Sequence, residues 1–277
     1  MPQAQGRDVV LLLPDTHGPT IDDRMASLLA SRGHVVFELA IPDGGERPAQ
    51  RNPVPIEYFS RAVDFLRREY AGPGGRIDVV AFGRATEAAA ILALTRGDIA
   101  RMVLVSPSSV TNAAEARGLP TDRPAWTLRG APLAFVHRVA DEEQVLQRQR
   151  PPYATRPLYD LRLAAAAGDG RARIPFDQIT SDRVLVACDQ DAVWPADRMA
   201  QDVRALASHG RASVTAHILS DCGHDLVAPI APTTRRDFAA RDGVRYALGG
   251  TPQAVWEGQR AAWDIIRHAI GAAGGEP

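Results

Sequence analysis

Two side chains in this sequence are of the types needed to move a proton near neutral pH. Asp191 lies in "ACDQDAVWP", directly after one β-branched run, and His224 lies in "SDCGHDL", directly after another. A carboxylate beside an imidazole fixes its tautomer and favours the charged ring, which suits the pair to acid–base work. A third stretch, "RIDVVAFGRATEAAAILAL" over residues 76–94, reads as a strand, a tight turn and a helix. Such a turn can expose a serine or cysteine nucleophile between small neighbours. Here the small neighbours are present, but Gly83 stands at the centre. Glycine tolerates the unusual backbone angles of a sharp turn. The N–H of Arg84 is expected to point into the pocket as half of an oxyanion hole.

The elements around these residues alternate. "DVVLLLP" (8–14), "HVVFELA" (34–40), "ARMVLVSP" (100–107), "DRVLVACD" (182–189) and "ASVTAHILS" (212–220) read as strands. Most are near-continuous apolar runs, as in parallel strands buried on both faces. Helices are expected over "TIDDRMASLLASRG", "PIEYFSRAVDFLRREY" and "TPQAVWEGQRAAWDIIRHAI". In the second, Ile56, Phe59, Val63, Leu66 and Tyr70 fall on one face, with Glu57–Arg61 and Asp64–Arg68 as i, i+4 pairs. The pattern predicts a mostly parallel sheet with helices on both faces, and ligands bind at the strand ends of such sheets. Residues 108–181 interrupt the alternation and are expected to form a lid inserted into a single domain spanning 1–277. Its aromatics Trp126, Phe135, Tyr153 and Tyr159 would suit a largely apolar substrate.

Composition narrows the class further. The chain has 277 residues, 45% hydrophobic and 23% charged, and a net charge of −1, so broad attraction to nucleic acid or an anionic membrane is not indicated. Lysine is absent, which excludes Schiff-base chemistry and a phosphate-loop lysine. Cys188 and Cys222 are too few for a disulfide framework and read as small buried residues. No apolar run is long enough to span a membrane, and the first one lacks signal-peptide flanks, so a cytoplasmic protein is expected. No metal site and no cofactor is indicated.

Elbow, acid and histidine occur in the chain order of the α/β-hydrolase fold. More specifically, the sequence resembles the carboxy-terminal hydrolase domain of the acyl-CoA thioesterase and bile acid-CoA:amino acid N-acyltransferase family, and more distantly the dienelactone hydrolases. "PVPIEYFSRAVDFLRRE" resembles the family's "IPLEYF" helix. "GRATEAAAILAL" resembles its "S-x-G-x-E-x-A" elbow helix, with Glu87 on the glutamate. "VLVSPSSV" is similar to the strand after the elbow, "DQDAVWP" to the acid loop and "GGTP" to the entry of the last helix. The likeness runs from about residue 8 to 270, and the amino-terminal β-sandwich of animal members has no counterpart in it. It implies an α/β-hydrolase fold and an acyl substrate, with Asp191 and His224 as the acid and the histidine. It puts Gly83 on the family's serine or cysteine, so the family's covalent mechanism does not carry over. The second half of the oxyanion hole is expected in "PDTHGPT", around Thr16 and His17. The family has a glycine-rich loop there, so Asp15 and His17 are departures that either add polar contacts or form a solvated turn.

Three readings follow. The leading one has His224, oriented by Asp191, as general base on an acyl- or carbonyl-containing small molecule, with the Arg84 N–H stabilising the oxyanion. Elimination, cyclisation, isomerisation and direct attack by water all fit. The second is a thioesterase or acyltransferase with a relocated nucleophile; Cys222 is the best candidate, while Thr86 is expected to point away. The third is a ligand-binding protein without catalysis.

Overall fold

The computed structural model describes residues 7–15, 23–41, 53–116, 119–230, 232–233, 235–240 and 243–271. The chain runs through β1 (Val9–Leu13), α1 (Asp23–Ala30) and β2 (Val35–Glu38). A short β3 (Val54–Pro55) leads directly into α2 (Ile56–Leu66), which continues as one π-helical turn over Arg67–Ala71. β4 (Ile77–Phe82), α3 (Ala85–Thr95) and β5 (Arg101–Val105) come next. The segment between β5 and β10 supplies β6 (Ala113–Ala116), β7 (Leu119–Pro124), β8 (Trp126–Leu128), β9 (Ala131–Pro132), α4 (Glu142–Gln147) and α5 (Arg156–Ala166). β10 (Asp182–Cys188), α6 (Ala196–Ala207), β11 (Val214–Leu219), the short β12 (Asp237–Ala239) and β13 (Arg245–Ala247), and α7 (Pro252–Ile270) complete the chain.

The main sheet has six strands in the order β11-β10-β5-β4-β1-β2, and each pairing is parallel. All five residues of β1 are buried, because side chains alternate between two cores. Val9, Leu11 and Leu13 join a cluster with α2, α3 and α6, whereas Val10 and Leu12 join one with α1 and α7. This explains the unbroken apolar run. The expected architecture of a parallel sheet with helices on both faces is therefore present.

Some local expectations change. Ile56, Phe59, Val63 and Leu66 are buried, but Tyr70 is an exposed aromatic, because the helix widens into its π-turn just before it. Asp64 meets Arg96 at 2.6 Å, and Glu57 accepts the Arg129 N–H at 2.7 Å, so both acids reach other elements instead of closing the i, i+4 pairs. α6 is an element beyond those expected from the sequence. It buries Ala196, Met199, Ala200, Val203 and Ala207.

The segment between β5 and β10 is tied to the elbow helix by buried charge. Glu87 is fully buried and accepts from Trp126 Nε1 at 2.8 Å, Asn112 Nδ2 at 2.9 Å and the Asn112 N–H at 3.1 Å. The buried Arg84 guanidinium lies 4.0 Å from Glu87, donates to the Ala113 carbonyl at 2.7 Å and approaches Glu115 at 3.4 Å. Tyr159 donates to Glu115 at 2.6 Å. Two of the four aromatics expected to face an apolar substrate, Trp126 and Tyr159, are thus core residues rather than walls of an apolar pocket. Burial would lower the Arg84 pKa, but Glu115 and Glu87 outweigh it and raise it. Removing Glu87 leaves the Trp126 Nε1–H and the Asn112 N–H buried without their acceptor and takes one carboxylate from beside Arg84. Glu87→Ala is therefore expected to cost about 3–5 kcal/mol of stability in urea unfolding; a loss below about 1 kcal/mol would contradict the network.

Candidate active site

β1 and β4 lie side by side, with Leu13 opposite Ala81, and the chain crosses over the sheet between them. The space beyond such neighbouring strand ends is where this class of sheet places ligands. Gly83 follows β4 with φ at 50°, and α3 starts two residues later. Asp15 follows β1 by two residues. The two meet: a Cβ on Gly83 would collide with the carboxyl carbon and both carboxyl oxygens of Asp15. The Asp15 carboxylate therefore occupies the space that a side chain on the elbow would need. Its Oδ1 accepts the Arg84 N–H at 3.3 Å.

The acid and the histidine arrive from the ends of β10 and β11. Asp191 is buried, and its Oδ1 accepts the Val193 and Trp194 N–H groups at 2.8 and 3.2 Å. Its Oδ2 meets His224 Nδ1 at 2.7 Å, and His224 Nε2 meets Asp15 Oδ2 at 2.8 Å. The Trp194 ring stands edge-on to the imidazole, with centroids 5.8 Å apart. The loops carrying these groups are clamped at backbone distance. The His224 N–H donates to the Leu248 carbonyl at 2.8 Å, Gln190 N–H to Cys222 O at 3.2 Å, and Asp191 bridges Gly249. Gly249 has φ at 87°, and a Cβ there would collide with the Gln190 carbonyl, so a larger residue would push the acid loop away.

The two cysteines complete the clamp. Cys188 and Cys222 form a disulfide with Cα atoms 5.3 Å apart, joining the end of β10 to the histidine loop. This corrects the reading of both as separate buried thiols. It also removes Cys222 as a nucleophile, since its sulfur is bonded and buried. In the chain-entropy description, closing a loop of 34 residues contributes roughly 4 kcal/mol.

The remaining candidates sort plainly. Thr86 points back into its helix and donates to Gly83 O at 2.7 Å, and Ser108 donates to Val110 O at 2.7 Å. Ser106 lines the site and donates to His224 O at 3.3 Å. Thr16 and His17 lie outside the described residues. Among the described residues no group of acids, histidines and cysteines is arranged to hold a metal ion, and no helix is long and apolar enough to cross a membrane. A cavity of about 50 Å³ opens beside Asp15, Gly83, Ser106 and His224, with Leu12, Met25 and Phe82 among its walls. A larger depression, about 780 Å³, lies between the segment joining β5 to β10 and α6, and includes none of Asp15, Gly83, Asp191 and His224.

The electrostatics follow from the two short contacts. An ionised carboxylate only accepts, and a neutral imidazole carries one N–H. Bonds at both ring nitrogens therefore require the imidazolium when both carboxylates are ionised. Burial alone would lower the His224 pKa, but the Asp191 charge and the hydrogen bonds that the ring donates to Asp15 and Asp191 prevail, holding it well above 6.5. With both carboxylates ionised, His224 thus carries a proton on each ring nitrogen, unlike the singly protonated imidazole expected of a general base. Asp15, named in the sequence only as a departure, is the residue that changes this assignment.

A parallel sheet, a glycine elbow and an acid–histidine pair in this order define an α/β-hydrolase fold. The family model "BAAT / Acyl-CoA thioester hydrolase C terminal" matches residues 54–268, and the chain belongs to that family. Among curated relatives, human acyl-coenzyme A thioesterase 6 is 24% identical over 87% of this chain and 54% of its own length. Mouse mitochondrial acyl-coenzyme A thioesterase 2 is 25% identical over 96% of this chain and 58% of its own length. The chain thus spans little more than half the length of these relatives. Among solved structures, one assigned as a dienelactone hydrolase from Klebsiella pneumoniae superposes with a TM-score of 0.52 at 11% identity, covering 96% of this chain and 87% of that one. A Pyrococcus furiosus esterase superposes with a TM-score of 0.50 at 14% identity, over 77% and 72%.

The charge state can be read directly. Nitrogen NMR at pH 7 is expected to show protons on both ring nitrogens of His224; a neutral ring with one bare nitrogen would contradict the arrangement. Because the folded pKa is raised, the stabilisation from this ring is complete below the ordinary value of 6.5 and is lost as pH rises through the folded value. The stability difference between the unaltered chain and His224→Gln should shrink in that direction, and a difference that grows with pH would be inconsistent with it.

Proposed function

We propose that this chain is an enzyme acting on an acyl- or carbonyl-containing small molecule, foremost an acyl thioester, by proton transfer through His224 and without a serine or cysteine acyl-enzyme. The observation that carries this reading is the buried Asp191–His224 contact of 2.7 Å at the end of the sheet where Gly83 forms the elbow. A protein that only binds a ligand has no need of a buried acid–histidine pair aimed at that point. Family membership and the named activity of the relatives support the acyl thioester as substrate class.

The order of events differs from a simple general base. With both ring nitrogens engaged by carboxylates, His224 starts charged, gives its proton to the leaving group and only then can accept one from water. Losing the elbow nucleophile costs a serine hydrolase roughly 10⁶-fold in turnover, so another group must share the chemistry if turnover is to be substantial. The insertion over 108–181 serves as the cap over this end of the sheet; its ties to the elbow through Glu87 and Arg84 support that placing.

His224→Ala should lower hydrolysis of a medium-chain acyl-CoA by at least about 10²-fold, the low end for acid–base catalysis, while acyl-CoA binding changes far less. A fluorophosphonate should leave no adduct on any serine or threonine. Undiminished hydrolysis in His224→Ala would sink the reading, as would a stoichiometric serine adduct.

A further inference from the structure

We propose that the nucleophile of this site is the Asp15 carboxylate, delivered from the loop after β1 into the space left by Gly83. The inference rests on the catalytic reading above and names its missing group. A nucleophilic site needs three contacts: nucleophile to histidine, histidine to an orienting acid, and an oxyanion donor within reach. With Asp15 as nucleophile all three are present. Asp15 Oδ2 meets His224 Nε2 at 2.8 Å, His224 Nδ1 meets Asp191 Oδ2 at 2.7 Å, and Arg84 N–H meets Asp15 Oδ1 at 3.3 Å. The overlap with a Cβ on Gly83 shows that a side chain at the elbow and this carboxylate exclude each other. The Asp15 side chain is 16% exposed and borders the small cavity, so it is not sealed from a substrate.

The Arg84 contact distinguishes a nucleophile from a general base. In a serine elbow the corresponding N–H serves the substrate's carbonyl. Here it faces an oxygen of the enzyme's own carboxylate. The oxyanion it is placed to stabilise is the one that forms on Oδ1 when water attacks Cγ of an acylated Asp15.

The sequence for an acyl thioester balances. Asp15 Oδ2 attacks the acyl carbon, the carbon–sulfur bond breaks, and His224 gives its proton to the departing thiolate. This leaves a mixed anhydride on Asp15 and a neutral imidazole. His224 then takes a proton from water as the oxygen of that water bonds to Cγ. The tetrahedral adduct collapses by breaking the bond between Cγ and the bridging oxygen, releasing the carboxylate product. Asp15, now carrying one oxygen from water, loses its proton to solvent, and the imidazolium is restored. The net reaction is thioester plus water to thiol, carboxylate and a proton.

The test follows the oxygen. The full chain is incubated with 4-nitrophenyl acetate, a small activated ester, in water enriched in ¹⁸O through many turnovers. It is then digested, and the peptide carrying Asp15 is weighed. Heavy oxygen in Asp15 is expected, and it should be absent from Asp15→Asn and from His224→Ala. Heavy oxygen in acetate alone, with Asp15 light, overturns the proposal. So does hydrolysis by the unaltered chain that is no faster than by Asp15→Asn or by buffer. Hydrolysis that depends on His224 while Asp15 stays light defeats this inference and leaves the acid–base reading standing. Hydrolysis that depends on neither residue defeats both.

Discussion

A single imidazole held between two carboxylates organises this site. His224 meets Asp191 at 2.7 Å and Asp15 at 2.8 Å, and both contacts require a proton on the bond. Removing charged groups from water is costly, and the cost is offset only when the geometry is good and the remaining lone pairs are engaged. Asp191 meets that condition through two backbone N–H groups, and Asp15 through the Arg84 N–H. The same chain of hydrogen bonds sets the protonation of the ring. It calls for a proton on each ring nitrogen when both carboxylates are ionised, and it leaves the Asp15 carboxylate in the space beside the glycine elbow.

The surrounding structure keeps four loops from four strands in register. Gly249 lets the loop before α7 approach the acid loop at backbone distance, and the disulfide joins the acid strand to the histidine loop from behind. α7 packs on that disulfide through Gly258, where a Cβ would press on Cys222. On the other side, Arg84 serves two purposes. Its N–H faces the site, while its guanidinium is fixed among Ala113, Glu115 and Glu87. The turn that carries this N–H is thereby held by the segment between β5 and β10 as well as by the sheet.

Much of this was legible in the sequence, and the limits have physical reasons. The parallel sheet could be read because its strands are buried on both faces and so lose the polar alternation of a half-exposed strand. Asp191, His224 and Gly83 stood out because each follows a strand within a few residues, so their convergence needs only the strands to be parallel. Asp15 also follows a strand, but its meaning depends on β1 lying beside β4, a long-range pairing that no local pattern reports. The signal available was an acid two residues beyond β1 together with a glycine at the elbow, and only the missing Cβ connects them. The disulfide was hidden for the same reason, since its partners are brought together by the β10–β11 pairing. Tyr70 went astray because a 3.6-residue period cannot anticipate a π-turn.

If the missing Cβ at Gly83 is what admits the Asp15 carboxylate, adding that one atom should expel it. Crystal structures of the unaltered chain and of Gly83→Ala would show this most directly. The carboxylate should bridge His224 Nε2 and the Arg84 N–H in the first and be displaced from both in the second. An Asp15 turned away from His224 in the unaltered chain, or one left in place beside Ala at the elbow, would contradict the arrangement on which the chemistry rests.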